Sequence, residues 1–465
     1  MAPAGRAPKR MRAGFPVASA EEMHMSKGPL AKIRQGTRLE VRELGSVAGV
    51  AHIVLRRGRC VLALADGWAD KEQGTRFTLD TICRLHGSTK ALVCAAFLTL
   101  LDDGSVKLDD PIEKFVPFSR RVETARGSRP VQAKATLRHL LTMTAGLGYT
   151  DDPPYKKVID RVRNGQVTDL AHFCEELAEV PLLSEPGKRF EYSFCTDILG
   201  RVCEVVGKSS LDVFVRERLL EPLGMNDTFF DVPERKKRRV AALYKFEATA
   251  AGKRRRTGAA AYKAVRWDHP ECAPGIRSSG GGILSYKDAG MWGTARDYAR
   301  FCQMLLDEGL APPVAGGAEG AQQKRRRVLS KGVARLIWKD ALAPLADKAG
   351  HLANWHVDDT EGPPFEGSSW EMCGWSPLNG LLQLQGPLKA SCPRRPRAGH
   401  SIGLGGGGGT YWLVDAKRRL VTLSFTQSFE GGRDEDDGLG PPGNDCVDLA
   451  VDAAREGDAA AKGRR

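Results

Sequence analysis

No run of 18 or more apolar residues occurs in the 465-residue chain, so nothing in it reads as a membrane-spanning helix. The N-terminus has no apolar core of the signal-peptide kind, and no secretory signal is expected. CxxC, HExxH and HxH patterns are missing, and the 11 Cys form an odd total scattered from Cys60 to Cys446. That usage favours reduced, mostly buried thiols in an intracellular, cytoplasmic protein over a disulfide framework. No metal or other cofactor is expected, and His351 and His356 read as loop composition rather than ligands. No acid precedes Glu21. Residues 1–20 therefore read as a basic, disordered tail, with organelle targeting as the alternative.

What is abundant is positive charge: Lys and Arg number 70 against 57 acids, a formal +13. The basic residues cluster at 235–239 (RKKRR), 253–256 (KRRR) and 324–327 (KRRR). Such runs fit an import receptor or nucleic acid. They lie in Gly/Ala-rich surface insertions, however, with no interleaved aromatic platform and no helix-turn-helix or zinc-finger spacing. Nucleic-acid binding is thus the weakest functional reading. With 42% hydrophobic residues and eight Trp, the chain can bury a sizeable core.

The core is organised around residues 85–104, LHGSTKALVCAAFLTLLDDG. Between 91 and 101 only Thr99 is polar. A helix there is apolar nearly all round and belongs inside the domain. Its N-terminus is where function is expected, because unpaired N–H groups and the helix dipole favour developing negative charge. A nucleophile three residues before a Lys shares a face with it, the physics of an SxxK motif. Here Lys90 is preceded by Thr89 and Ser88, and the nucleophile position holds Gly87.

Residues 84–110 (RLHGSTKALVCAAFLTLLDDGSVKLDD) resemble the SxxK segment of the serine β-lactamase and penicillin-binding-protein family, nearest to the class C β-lactamase-related esterases and transferases. Segments 135–147 (ATLRHLLTMTAGL), 222–230 (PLGMNDTFF), 279–284, 297–306 (DYARFCQMLL) and 409–427 (GTYWLVDAKRRLVTLSFTQ) match as well, in family order over roughly residues 40–430. The resemblance implies an α/β (α+β) fold of β-lactamase/transpeptidase type. Its antiparallel sheet is built from both chain ends, flanked by helices, with an inserted, mainly helical subdomain. The expected organisation is a tail with the start of a first helix at 1–35, a domain at 36–430 and a charged C-terminal segment with a last helix at 431–465. Within the domain, 36–85 and 295–430 form the α/β part and 86–294 the helical insertion.

Local patterning predicts a helix at 22–35, a hairpin at 49–65 about Arg57-Gly58, and an extended stretch at 108–118. Further helices are predicted from Thr136 to 141, at 169–180, 196–219 and 294–307, the last capped by Thr294, with a final one at 445–455. A second hairpin joins 411–415 to 420–426. Residues 231–280 read as irregular. Residues 311–397 read as loop, although Trp355, Trp370 and Trp375 suggest that the segment packs.

The resemblance also implies site residues. Lys90 takes the lysine position, and Tyr192, in FEYSFCT, takes that of the tyrosine acting with it as general base. Three positions depart from the pattern. Gly87 has no side chain to carry an acyl group, Phe194 stands where an Asn is expected, and the third motif falls on Leu404-Gly405-Gly406. A second register through His400-Ser401 needs extra residues before the strand. Ser88 is the alternative nucleophile, yet two residues on a helix point about 200° apart. His86 beside the empty position could serve as a base for water. The N–H groups of Gly87 and of the strand near Gly406 could still form an oxyanion hole. The favoured reading is a catalytically impaired protein that binds a small acyl, ester or peptide ligand. The alternative is an active serine-type acyl hydrolase with a rearranged nucleophile. The oligomeric state is left open.

Overall fold

The computed structural model describes residues 11–150, 152–248, 262–267, 276, 278–281, 290–313, 325–339, 341–342, 373–374, 383–384, 401–429 and 444–462. A six-stranded antiparallel sheet is assembled from both halves of the sequence. Its strands are β1 (Gly49–Arg56), β2 (Arg59–Asp70), β3 (Thr75–Arg76), β4 (Ser401–Gly406), β5 (Thr410–Asp415) and β6 (Leu420–Thr426), in spatial order β4-β5-β6-β1-β2-β3. β6 pairs with β1 from Leu420 opposite Arg56 to Thr426 opposite Val50. The N- and C-terminal hairpins thus meet in the middle of the sheet.

Both predicted hairpins form, and their turns support each other. Arg57 and Gly58 have φ of 52° and 73°, the left-handed pair that matches strand twist in a two-residue hairpin. Arg57 donates its N–H to the Arg419 carbonyl at 2.8 Å, and Arg419 is itself left-handed at φ 51°.

Alternation along β1 separates two cores. Ala51, Ile53 and Leu55 face the main core, whereas Val54, with Leu62, Leu413 and Leu420, faces a second one. Two helices cover the second face: α1 (Lys27–Arg38) and the C-terminal helix (Asn444–Lys462). On the main-core side lie α2 (Thr89–Asp102), α3 (Leu137–Leu141), α4 (Pro153–Arg163), α5 (Leu170–Ala178), α6 (Cys195–Gly207) and α7 (Ala295–Leu306); the C-terminal helix is α8. Every residue of α2 from Thr89 to Leu100 is buried, as its all-round apolar sequence demands. α7 lies on the sheet, the rings of Tyr298 and Phe301 packing on Trp412 at 5.6 and 6.1 Å between centroids. Thr294 caps it, its Oγ1 accepting the Asp297 N–H at 3.1 Å.

Several expectations need correction. From Met11 onward the supposed tail is part of the domain: Phe15 is buried in the main core, and Ala18, Met23 and Met25 in the second. The first helix begins at Lys27, not residue 22, because Ser19 and Glu22 close a turn on each other, Ser19 N–H to Glu22 at 2.7 Å and Glu22 N–H to Ser19 Oγ at 3.1 Å. The last helix runs on to Lys462, held by the buried Arg56 donating to Asp458 at 2.7 Å. The helix expected over 196–219 breaks after Gly207, where Lys208 turns left-handed at φ 53°, and resumes as Leu211–Val215. Helix α4 was not anticipated. The extended stretch 108–118 contains a helical turn, Ile112–Lys114. Within the region read as irregular, Tyr244–Ala248 pairs with Tyr262–Arg266. Trp355, Trp370 and Trp375 lie outside the described residues.

Among the described residues of the basic runs, several are answered by the chain's own acids and carbonyls. Lys236 and Arg239 both contact Asp227, at 2.7 and 2.5 Å. Arg325 reaches Asp307 at 2.5 Å, and Arg327 donates to the Glu308 carbonyl at 2.7 Å. Residues 253–256 lie outside the described residues. Seven cysteines, among them Cys94, Cys195 and Cys203, are buried free thiols. Among the described residues no helix is long and apolar enough to cross a membrane.

On β1, His52 lies opposite Ser424 and Leu64, buried, its Nδ1 without a hydrogen-bond partner among the described residues. Burial lowers its pKa from 6.5 to about 4. Because the unfolded chain takes up this proton first, the stabilisation is complete above pH ~6.5 and is lost as pH falls towards ~4. Urea denaturation of wild type and His52→Leu is expected to show the wild type losing roughly 2 kcal/mol more than the variant between about pH 7 and about pH 5. Parallel pH profiles would remove His52 from the acid response.

Candidate active site

The chain reaches α2 under close restraint. Cys83–Arg84 pairs with Trp292–Gly293. The Gln427 side chain accepts the Arg84 N–H at 2.8 Å and donates to the Arg84 carbonyl at 3.3 Å. The same amide donates to Gly408 at 3.4 Å, tying the approach to α2 to the β4–β5 turn. Beyond it, His86–Ser88 forms a single helical turn that leads into α2.

His86 adopts φ 44°, a left-handed conformation uncommon for a residue with a side chain. It is buried, and burial, then the positive charges of Arg84 and Lys90, pushes its pKa down to about 3. It is therefore a neutral imidazole at neutral pH and a poor base for activating water.

Gly87 is partly exposed and sits beside the sheet edge. A Cβ built on it would lie 3.0 Å from the Gly405 carbonyl oxygen, 3.6 Å from Tyr192 Oη and 3.9 Å from Gly406 Cα. Residue 87 thus faces both Tyr192 and the Leu404-Gly405-Gly406 strand. His400 lies outside the described residues, and Ser401 stands at the far end of β4, opposite Asp415. Gly406 packs so closely on the helix start that a Cβ there would be 2.2 Å from the Leu85 carbonyl oxygen and 2.4 Å from Thr410 Oγ1.

Ser88 does not join this group. Its hydroxyl donates to the Thr410 carbonyl at 3.2 Å, its own carbonyl accepts from Tyr298 Oη at 2.9 Å, and it is fully buried. Gly87, Tyr149, Tyr192, Leu404 and Gly405 are partly exposed, whereas Lys90 and Gly406 are buried. The first set outlines a mouth. The second lies beneath it.

Lys90 is 1% exposed. Its Nζ donates to the Gly281 carbonyl and lies 4.9 Å from the ring centre of Tyr192 and 5.7 Å from that of Tyr149, within cation–π range. The two rings meet edge to face at 5.0 Å. Phe194 has turned into the core, its ring 5.0 Å from Tyr149 and 5.3 Å from Phe173, so it offers no polar group to the site. Three residues that the sequence reading did not single out also belong here: Tyr149, Asp197 and Gly281. Of these, only Gly281 carried a local signal, as part of the glycine cluster 280–282. Among the described residues no group of His, Cys, Asp or Glu is arranged to hold a metal.

The family model described as Beta-lactamase matches residues 38–439. The chain belongs to the beta-lactamase family. An uncharacterized protein of Mycobacterium tuberculosis is 29% identical over 434 residues, covering 90% of this chain and 91% of that one. Esterase EstB of Burkholderia gladioli is 37% identical over 195 residues, 41% of this chain and 48% of the esterase. Simvastatin synthase of Aspergillus terreus shares the fold, with a TM-score of 0.67 at 22% identity over 93% of this chain and 98% of that one. The expected β-lactamase/transpeptidase-like fold, an antiparallel sheet with flanking helices, is therefore the fold of this beta-lactamase-family chain.

Gly406→Ala is expected to destabilise the protein by about 1–3 kcal/mol, since backbone rather than a flexible side chain blocks the new methyl. Gly36→Ala, inside α1 with nothing within 4 Å of its Cβ, should instead gain up to about 1 kcal/mol. Thermal melts of both variants test the contrast. A neutral Gly406→Ala would mean that the strand is free to move away from the helix start.

Proposed function

We propose that this beta-lactamase-family protein is a pseudoenzyme that binds a small acyl, ester or peptide ligand at the Lys90–Tyr192 centre without forming a covalent acyl intermediate. The observation that carries this reading is the space at residue 87. The Gly405 carbonyl stands 3.0 Å from where a Cβ would be, closer than side-chain carbons ordinarily approach an oxygen. A side chain at residue 87 therefore requires the strand at Gly405 to give by a few tenths of an ångström, which supports a site no longer shaped around a serine.

What persists is suited to recognition. A buried ammonium beneath two partly exposed tyrosines attracts a carboxylate or polarises a carbonyl, and the aromatic edges favour apolar acyl groups. Resemblance to Esterase EstB and the fold shared with simvastatin synthase support an acyl or ester compound as the ligand class. The buried hydroxyl of Ser88, engaged with Thr410, argues against its acting as a replacement nucleophile. Among the described residues seven buried free thiols support a reducing, cytoplasmic setting.

Intact-mass measurement after incubation with a fluorophosphonate and with a penicillin is expected to give no adduct, while calorimetric titration with the penicillin or a short acyl ester reports binding. An adduct mapped to Ser88 would overturn the reading in favour of an acyl hydrolase. Gly87→Ser alone is expected to remain far below family-like turnover of p-nitrophenyl esters, because Phe194 and Leu404 stay foreign to the site. Efficient hydrolysis by that single variant would show a poised scaffold and defeat the expectation.

A further inference from the structure

A lysine buried in a core requires an acceptor or a counter-charge, since an unanswered ammonium costs several kcal/mol. The family pattern offers an amide two residues after the tyrosine. Phe194 removes it and places a ring against Tyr149 and Phe173 instead. Lys90 has found its acceptor elsewhere, in the Gly281 carbonyl.

That carbonyl is not free to wander. The Gly281 N–H donates to Asp197 Oδ1 at 2.8 Å, and Ser279 Oγ donates to the same oxygen at 2.6 Å. Residue 281 is thus gripped on both sides, its donor by Asp197 and its acceptor by Lys90. Such close contact excludes side chains: a Cβ on Gly281 would lie 2.1 Å from Asp197 Oδ2, and one on Gly280 only 2.2 Å from the Thr196 carbonyl oxygen. Two members of the 280–282 cluster that the sequence presents without explanation are therefore glycines because the loop lies directly on the first turn of α6.

Asp197 occupies that first turn, where the helix dipole favours a carboxylate. It is fully buried. Burial raises its pKa, opposed by the charge of Lys90 and by the hydrogen bonds from Ser279 and Gly281. Among the described residues, the titratable groups besides Asp197 that feel Lys90 or lie against it are His86, Cys94, Tyr149 and Tyr192. Among these the carboxylate is the group whose negative charge complements the ammonium.

We propose that Asp197 is the positioning residue of Lys90, holding the loop at Ser279 and Gly281 so that the Gly281 carbonyl takes the place of the amide lost at Phe194. This rests on the reading of Lys90 as part of the ligand site, although its test does not require a ligand. Full-length protein labelled with nitrogen-15 lysine should show a slowly exchanging side-chain ammonium signal, assigned to Lys90 by its absence in Lys90→Arg. Asp197→Ala should abolish that signal while the protein stays folded. Asp197→Asn, which keeps an acceptor for Ser279 and Gly281, should retain it.

An unchanged signal in Asp197→Ala overturns the proposal, as does its loss in both variants, since charge alone would then account for the effect. If Asp197→Ala does not fold, Ser279→Ala is read in its place: a displaced signal supports the role and an unmoved one overturns it. Calorimetry with a penicillin, run alongside, separates the two readings. Loss of the ammonium signal in Asp197→Ala together with no ligand heat in the wild type would leave the positioning role standing and remove the binding function.

Discussion

An ammonium enclosed by protein constrains everything around it, and in this molecule that ammonium belongs to Lys90. Its backbone is fixed because α2 is buried along nearly its whole length, so the side chain has one direction in which to extend. The rings of Tyr149 and Tyr192 flank it, the Gly281 carbonyl receives it, and Asp197 anchors the loop that carries the carbonyl. The sheet contributes from the other side. Gly406 fits against the Leu85 carbonyl only because it has no side chain, and Gln427 ties the approach of the helix to the strand turn. Phe194 turns into the core, and the Lys90 ammonium takes its acceptor from Gly281.

Much of this architecture was legible in the sequence wherever the determinants are local. The nearly all-apolar run 91–101, the Arg57-Gly58 turn, the helix start at Thr136 and the cap Thr294 each state a helix or hairpin within a few residues. Where the determinants are tertiary, the reading failed. Residues 11–26 carry no strong periodicity and are ordered by packing under the sheet. The C-terminal helix is longer than its pattern because Arg56, some 400 residues earlier, holds its final turns through Asp458. Helix α4 starts at a Pro-Pro pair and was passed over, although Tyr155, Val158, Ile159 and Val162 are spaced for one buried face.

The site divides in the same way. Lys90, Tyr192 and Gly87 are picked out because the resemblance fixes their spacing, and the fold sets Gly87 and Tyr192 at a mouth with Lys90 beneath it. The acceptor of Lys90 is not legible in the sequence, because Asp197 and Gly281 are 84 residues apart and the glycine cluster alone does not say which carboxylate it packs on. Charge behaves likewise. A net +13 reads as an open basic surface, but the folded chain sets several of its arginines and lysines against Asp227 and Asp307.

The junction of β1 with β6 has a consequence for how the protein is made. Thr426 bonds back to Gly49 across 377 residues of chain. On the ribosome, therefore, the first hairpin emerges long before the strand that will lie beside it. Until then β1 offers a bare hydrogen-bonding edge, and the sheet cannot close. Contacts of such long range slow folding and prolong exposure to aggregation. Nascent chains cut short before residue 420 would retain the whole Lys90 helix yet lack the strand that completes the sheet around it, so biogenesis must keep the first hairpin apart from other chains until synthesis is nearly complete.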